Sequence, residues 1–336
     1  MTLHRTASAA MLARRPPTLP MRLCTPLLSL LLCGASAFAQ GTLRYDGLCD
    51  ASAAVALDAA HFVVAGDEDN ELRIYARDRP QVLATVPLQA FLRTGRDEAD
   101  LEAGTRIGER IYWIGSLGRN GKARPAPQRD RIFATDIDRS TTPPTLRPVG
   151  TASARLLDAV VASEAGQRWQ LDDAARKAPE APGGLNVEGL THTSDGALLI
   201  GFRNPLREDK ALVLPLRNPA EVIAGQAPRF GPALALDLGG RGVRALTRVA
   251  DGYLVVGGPT ADEGTFALFH WRGGDDTPQR LAQPALGSLR PEALFGWPGS
   301  SELQLLSDDG GIRVQGKECK KLKAGEQGFR GLVFAR

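Results

Sequence analysis

The protein has 336 residues, of which 43% are hydrophobic, 24% charged and 6% aromatic, with 37 glycines and 23 prolines. This hydrophobic fraction is enough for a packed core and excludes a wholly disordered chain. Frequent glycine and proline without a strict period exclude collagen and favour a fold with many turns over one with long helices. The length suits one large domain or two ordinary ones.

The first 39 residues have the three parts of a secretory signal peptide. A basic stretch without acidic residues precedes an apolar run over 27–33 and small residues up to Ala39. We therefore predict cleavage after Ala39 and a periplasmic or secreted mature protein. Lipidation at Cys33 is the rival interpretation, although Leu32 stands where a small residue is expected. Met21 is an alternative translation start that would give a more compact leader.

The formal net charge of +3 changes sign once this leader is set aside. Residues 1–39 contain four arginines and no acid, which leaves 37 basic and 38 acidic residues in the rest of the chain. A nearly neutral chain without a dense basic run is not typical of proteins that bind nucleic acid. No later segment is long and apolar enough to be a transmembrane helix. We expect a monomer that does not bind nucleic acid and has no transmembrane segment.

A repeated pattern of short apolar strands, polar loops and turns runs through the remaining chain. Runs of four to six apolar residues bounded by Asp, Asn and Gly are strand signals. Strands recurring in groups of four every ~40–55 residues are typical of propeller blades. The sequence predicts an all-β fold, a single β-propeller domain over 40–336 with five or six four-stranded blades. The five visible units begin at Tyr45, Ala99, Asn186, Val243 and Pro291.

Residues 150–183 interrupt the repeat. Apolar side chains recur there at helical spacing from Leu156 to Val161, and the stretch ends in the proline- and glycine-rich segment 179–184. We predict a short helical insertion between blades. It either forms a lid over the central channel or covers a blade edge, and a sixth blade has room in the same gap.

Two cysteines remain outside the leader, Cys49 and Cys319, one near each end of the chain. Their spacing does not match that of a zinc site. Exported proteins fold in an oxidising compartment, which favours a disulfide over two free thiols. A circular fold would bring the two cysteines together, because the last strand must return to the first blade to avoid an open edge.

Five motifs together resemble an uncharacterised bacterial family, domain of unknown function 3616. The likeness covers nearly all of 43–334. More distantly, the blades resemble secreted propellers described as esterase-like or phytase-like. The close resemblance implies the propeller fold and carries no established activity. The five motifs lie at 68–70, 111–120, 183–190, 201–205 and 307–310.

Acidic residues recur at the start of the predicted inner strands. In a propeller blade this position and the loop between the second and third strands lie on the same face, so we expect convergence on one mouth of the channel. Clustered carboxylates repel one another and are costly to desolvate, whereas Ca²⁺ takes 6–8 oxygen ligands. Arg244 replaces the acid in the fourth unit. The predicted metal ligands are Asp46, Asp100, Glu292 and Asp308.

Polar loops on the same face predict a site for a small polar or anionic ligand, since the planar fork of arginine suits anions. The alternative is that these Asp and Asn side chains only cap strand ends. Glu188, an acid within an apolar strand, is the candidate catalytic residue. The predicted ligand-binding residues are Asp69, Asn70, Arg119, Asn120, Arg203 and Asn204.

Standard catalytic signatures are missing from the sequence. It contains no HExxH, GxSxG, Walker or GxGxxG motif, and only His61, His192 and His270 follow the leader. Catalysis would therefore depend on carboxylates and a metal. Two functions remain open: a metal-assisted hydrolase of an ester or phosphoester, and a non-catalytic binding propeller of the cell envelope. The fold hosts both.

Overall fold

The computed structural model describes residues 42–336, which contain 22 β-strands and five short α-helices. Twenty strands form five antiparallel four-stranded sheets. The innermost strands of these sheets contact one another in a closed circle, so the fold is a five-bladed β-propeller, as the sequence predicts. No helix within 42–336 is long and apolar enough to span a membrane. The predicted leader, 1–39, lies outside the described residues.

The chain enters through β1 (Thr42–Asp46), which belongs to the last blade. Blade 1 consists of β2 (Ala53–Ala56), β3 (His61–Ala65), β4 (Glu71–Ala76) and β5 (Val82–Pro87), followed by α1 (Gln89–Leu92). Blade 2 consists of β6 (Leu101–Ile107), β7 (Arg110–Gly115), β8 (Ile132–Asp138) and β9 (Thr145–Ser153). The insertion after it contains α2 (Leu156–Ala162), α3 (Glu164–Arg168) and α4 (Leu171–Ala174).

Blade 3 consists of β10 (Asn186–His192), β11 (Leu198–Arg207), β12 (Lys210–Leu216) and β13 (Leu234–Asp237), with α5 (Pro219–Ile223) before its last strand. Blade 4 consists of β14 (Gly242–Val249), β15 (Gly252–Gly258), β16 (Ala267–Trp271) and β17 (Gln279–Arg280). Blade 5 contains β18 (Pro291–Gly296), β19 (Glu302–Ser307), the small hairpin β20 (Arg313–Val314) and β21 (Lys317–Glu318), and β22 (Gly328–Ala335).

The two chain ends close the ring inside blade 5. Strand β1 pairs with β22 from Thr42 opposite Leu332 to Asp46 opposite Gly328. The sequence-based assignment of Tyr45–Leu48 as an inner strand is therefore wrong, and β22 is the third strand of its blade rather than the fourth. This arrangement stabilises the ring because the two chain ends are hydrogen-bonded to each other within one sheet.

A buried aromatic cluster and a disulfide strengthen this closure. The ring of Tyr45 on β1 lies 5.1 Å from that of Phe62 in blade 1 and 5.2 Å from that of Phe329 on β22. The predicted disulfide is confirmed: Cys49 and Cys319 are bonded across 270 sequence positions, with their Cα atoms 5.9 Å apart. Both cysteines are buried. The closure is therefore both covalent and hydrophobic.

The helical insertion packs against the propeller. Leu156, Val160 and Trp169 share one hydrophobic core with Ile114 of blade 2 and Leu198 of blade 3. The insertion therefore covers blade surfaces, in agreement with the second of the two predicted arrangements. The segment that follows it, 179–181, accepts hydrogen bonds from Asn204 of β11.

Candidate functional site

Four of the five inner strands carry a β-bulge at the same position. The strand register shifts around the corresponding residue in β6, β10, β14 and β18, and β10 has a second shift one position earlier. A bulge turns one side chain out of the regular alternation of the strand. Each bulged residue is charged and is followed by Ala or Gly, and Ser52 before Ala53 holds the matching place in blade 1. The bulged residues are Glu102, Glu188, Arg244 and Glu292.

These residues close the middle of the channel. Ser52, Glu102, Glu188 and Glu292 line a cavity of only about 10 Å³. A cavity of that size holds at most about one water molecule. No substrate can pass through the channel at this level, so a ligand of the channel can bind only at one of its two mouths.

Two arginines neutralise part of the buried acid. Arg203 Nη1 lies 2.9 Å from Glu188 Oε1, which also accepts a hydrogen bond of 2.8 Å from Asn186 Nδ2. Arg244 Nε lies 2.7 Å from Glu188 Oε2 in an ion pair without hydrogen-bond alignment, and Arg244 Nη2 binds Glu292 Oε1. All five residues are buried. We call Glu188, Arg203, Arg244 and Glu292 the channel network.

Glu188 and Arg203 are engaged by neighbouring protein groups. Both carboxylate oxygens of Glu188 face guanidinium groups, so neither is directed at a site where a substrate would bind. Arg203 also donates hydrogen bonds to two backbone oxygens, from Nε to that of Pro259 at 3.2 Å and from Nη2 to that of Ala261 at 2.9 Å. The arrangement does not favour Glu188 as a general base or Arg203 as an anion fork.

The sequence analysis missed Glu102. Its side chain is buried, and within the described residues it has no hydrogen bond or ion pair. Burial, reinforced by the charge of Asp100, raises its pKa well above the usual range. The sequence does contain a pattern that marks Glu102, because Glu102-Ala103 matches Glu188-Gly189 and Glu292-Ala293 in the repeat. Sequence reasoning chose Asp100 instead, the first acid of that strand.

Asp100 lies one step outside the ring of bulged residues. It precedes β6, and its Oδ2 is 2.9 Å from Arg129 Nη1. Burial raises its pKa to about 6, although the Arg129 charge acts in the opposite direction. Asp100 is therefore paired with an arginine and is not one of the bulged residues.

Four carboxylates meet at the mouth between blades 5 and 1. Asp50 precedes β2, Asp67 and Glu68 follow β3, and Asp308 follows β19. Asp50, Asp67 and Glu68 each offer an oxygen within 4.8 Å of the others. Asp308 joins them because its backbone forms a bridge with that of Asp50. We call these four residues the acidic cluster.

The acidic cluster carries more negative charge than its surroundings balance. Burial and the neighbouring Asp308 raise the pKa of Asp50 to about 8, and burial together with Asp50 raises the pKa of Asp67 well above its usual range. Asp67 Oδ1 is buried and accepts no hydrogen bond from any described residue. Lys320 compensates in part, with its Nζ 2.8 Å from Glu68 Oε1. Such a cluster takes up either protons or a cation.

The covalent structure holds this cluster in place. The disulfide joins the residues directly before Asp50 and Lys320. Gly310 allows the Asp50 carboxylate to approach, since a Cβ atom there would lie 1.5 Å from Asp50 Oδ1. Its backbone N–H donates to Asp308 Oδ1 at 2.8 Å. A side chain at position 310 would displace a carboxylate of the cluster.

Asp46 does not reach the channel, which corrects the prediction. It ends β1, the outermost strand of blade 5, and its half-exposed side chain lies 3.4 Å from Arg44. The physical reason is the ring closure, which uses the first strand to complete the last blade. Asp50, four residues later, takes the place expected for Asp46 at the mouth.

Asp69 and Asn70 make local contacts. Both carboxylate oxygens of Asp69 bind Arg73, the shorter contact being 2.7 Å. Asn70 is buried, donates to Thr94 Oγ1 at 2.9 Å and accepts from the Ala99 amide at 2.8 Å. These contacts match the alternative that loop Asp and Asn side chains cap strands and tie blades together.

The remaining predicted ligand-binding side chains are also engaged. Arg119 Nε donates to the carbonyl of Ala175 at 2.7 Å, which ties the loop of blade 2 to the helical insertion. Asn120 Oδ1 accepts from two backbone amides of its own loop, each at 3.0 Å. Asn204 is buried and donates to two carbonyls of 179–181, at 2.9 and 2.8 Å. Their amide and guanidinium groups position loops at the mouth.

Comparisons with known proteins address the fold and the family. The propeller of Myxococcus xanthus glutaminyl cyclase is similar with a TM-score of 0.45 and 11% identity, over 88% of this chain and 95% of that one. Virginiamycin B lyase from Staphylococcus aureus has a TM-score of 0.35 and 9% identity, over 88% and 99%. A search of curated proteins finds no match. The model of a family described as "Protein of unknown function (DUF3616)" matches residues 171–290. This confirms the resemblance over a shorter part of the chain than the 43–334 that the sequence motifs indicate.

Proposed function

We propose that the protein is an exported β-propeller that binds a divalent cation, Ca²⁺, in the acidic cluster. One observation carries this proposal: oxygens of Asp50, Asp67 and Glu68 converge within 4.8 Å, while a buried oxygen of Asp67 has no partner among the described residues. Ca²⁺ accepts carboxylates in flexible geometry with 6–8 oxygen ligands. Of the metal ligands predicted from the sequence, this proposal keeps Asp308 and no longer includes Asp46, Asp100 and Glu292. The other proposed ligands are those of the acidic cluster.

Calcium addition is expected to raise the melting temperature of the protein, since a ligand that binds only the folded state stabilises it. Asp67→Asn should abolish this rise, because it removes the carboxylate without a partner. Asp275→Asn changes an exposed acid far from the mouth and serves as the matched control. Differential scanning calorimetry with and without Ca²⁺ measures the effect, and isothermal titration gives the affinity.

The affinity for Ca²⁺ is expected to depend on pH. The pKa of Asp50 is raised to about 8 and that of Asp67 is also raised, so protons occupy the cluster at low pH and compete with the cation. The affinity for Ca²⁺ should therefore increase from pH 5 to pH 8.5. An Asp67→Asn variant that binds Ca²⁺ as the unmodified protein does, or an equal loss in Asp275→Asn, would contradict the proposal.

Hydrolysis of an ester or phosphoester at the same mouth is the second candidate function. The observation that favours it is the proximity of Asp50 and Asp308, whose backbones form a bridge. Burial and the charge of Asp308 raise the pKa of Asp50 to about 8, which suits a general acid. A cation next to such a pair would polarise a substrate oxygen. A hydrolase screen with and without chelator separates the two functions. Turnover that the chelator abolishes supports catalysis, and calcium binding without turnover supports a binding protein.

Export is part of the proposal. The buried disulfide between Cys49 and Cys319 is consistent with folding in an oxidising compartment, because such bonds are rare in the cytosol. It supports the predicted leader, which requires the mature chain to begin at Gln40. Sequencing the amino terminus of exported protein checks this, and a chain that retains residues 1–39 would contradict it.

A further inference from the structure

The opposite end of the channel carries a second repeated motif. Three residues after the bulge, three consecutive inner strands have a threonine, and the next residue is basic in each. The strands run from the acidic mouth through the bulges to these residues, so the motif lies at the other mouth. The three pairs are Thr105-Arg106 in β6, Thr191-His192 in β10 and Thr247-Arg248 in β14.

All three pairs line one cavity of about 310 Å³. This volume is at the lower end of that of small-molecule sites. The described residues that form its wall include no Asp or Glu. The two mouths therefore differ in charge: one presents carboxylates, and the other presents hydroxyl groups and cations.

The two arginine side chains of this cavity differ in how many contacts they make with other protein groups. Arg106 is held in place, with Nη1 2.7 Å from the carbonyl of Leu57 and Nη2 2.8 Å from Glu109 Oε1. Arg248 is exposed, and its side chain makes no hydrogen bond or ion pair with any residue in 42–336. Its planar fork is therefore free to bind an oxyanion through two parallel hydrogen bonds.

His192 and the threonines supply the remaining donors. His192 Nδ1 lies 3.0 Å from Thr105 Oγ1. His192 and Arg248 line the same cavity. Burial lowers the pKa of His192, and the positive charge of Arg248 lowers it further. An anion placed between them would relieve this repulsion and accept hydrogen bonds from both groups.

We propose that this second mouth binds a small oxyanion, a phosphate group, through Arg248, His192 and the hydroxyl of Thr247. Arg106 contributes positive charge from a fixed position. The site is independent of the acidic cluster, because the channel is closed between them by the bulged residues. The chemistry of the donors fits free phosphate and the phosphate of a phosphomonoester equally.

Isothermal titration with inorganic phosphate at low salt tests the proposal, with glycerol phosphate as a second probe. We expect saturable binding in the millimolar range or tighter. Arg248→Ala should weaken it about tenfold or more, the loss of one bidentate charged pair, and Arg248→Lys should restore part of it. Arg248 is exposed, so these variants are expected to fold. Tighter binding of glycerol phosphate would identify a phosphomonoester as the preferred ligand.

Two controls make the result specific. Arg313→Ala removes an exposed arginine from the hairpin of blade 5 and should leave phosphate binding unchanged. Asp67→Asn should remove the calcium response and keep phosphate binding, which separates this site from the acidic cluster. Absence of saturable binding, an unchanged affinity in Arg248→Ala, or an equal loss in Arg313→Ala would overturn the proposal.

Discussion

Replacing both bridging cysteines, Cys49→Ser with Cys319→Ser, is expected to lower the free energy of unfolding by roughly 5 kcal/mol. The chain-entropy model gives this figure because the bond closes a loop across 270 sequence positions. A loss of that size is a large fraction of the stability of a typical domain. Urea denaturation of the double variant and of the unmodified protein measures it.

Reduction of the unmodified protein is the control, since it breaks the same bond without a substitution. Reduced protein and the double variant should unfold at the same urea concentration. The variant should also respond less to calcium, because the bond fixes the residues next to Asp50 and Lys320. Equal stability of oxidised and reduced protein would show that β1 and the aromatic cluster suffice to close the ring.

Arg244→Met is expected to cost about 3–5 kcal/mol, the range for breaking a buried ion pair from one side. The substitution leaves Glu188 with one arginine partner and Glu292 with none. Arg244, Glu188 and Glu292 are all buried. Thermal and urea unfolding measure the loss. Arg272→Met breaks an exposed pair with Asp276 and should have only a small effect. A comparable loss in both variants would contradict a special role for the channel network.

Glu102→Gln, in the same ring of bulged residues, is expected to stabilise the fold rather than destabilise it. Burial raises the pKa of Glu102 in the folded protein, so the folded state binds a proton more tightly than the unfolded chain. The carboxyl therefore destabilises the fold increasingly as pH rises above its unfolded pKa. The glutamine variant should be more stable than the unmodified protein at pH 8 and nearly equal to it at pH 4. A lower stability at pH 8 would indicate that Glu102 has a partner.

The sequence alone determined the architecture. Apolar runs of strand length with turn residues between them predict four-stranded units, and their number predicts five or six blades. The structure has five. The disulfide also followed, because only two cysteines remain after the leader and a ring brings the chain ends together. These features depend on local patterns that a single chain displays directly, such as strand alternation and turn composition.

The composition of the site required the tertiary structure. The ring closure decides that Asp46 belongs to an outer strand and Asp50 to the mouth, and no local pattern distinguishes the two. The bulges decide that Glu102, rather than Asp100, faces the channel, since one extra residue changes which side chain points inward. The pairing of Glu188 with Arg203 and Arg244 joins residues from two blades. Whether a buried carboxylate is free or neutralised depends on such distant neighbours, because electrostatic energy depends on distances in space and on burial rather than on sequence separation.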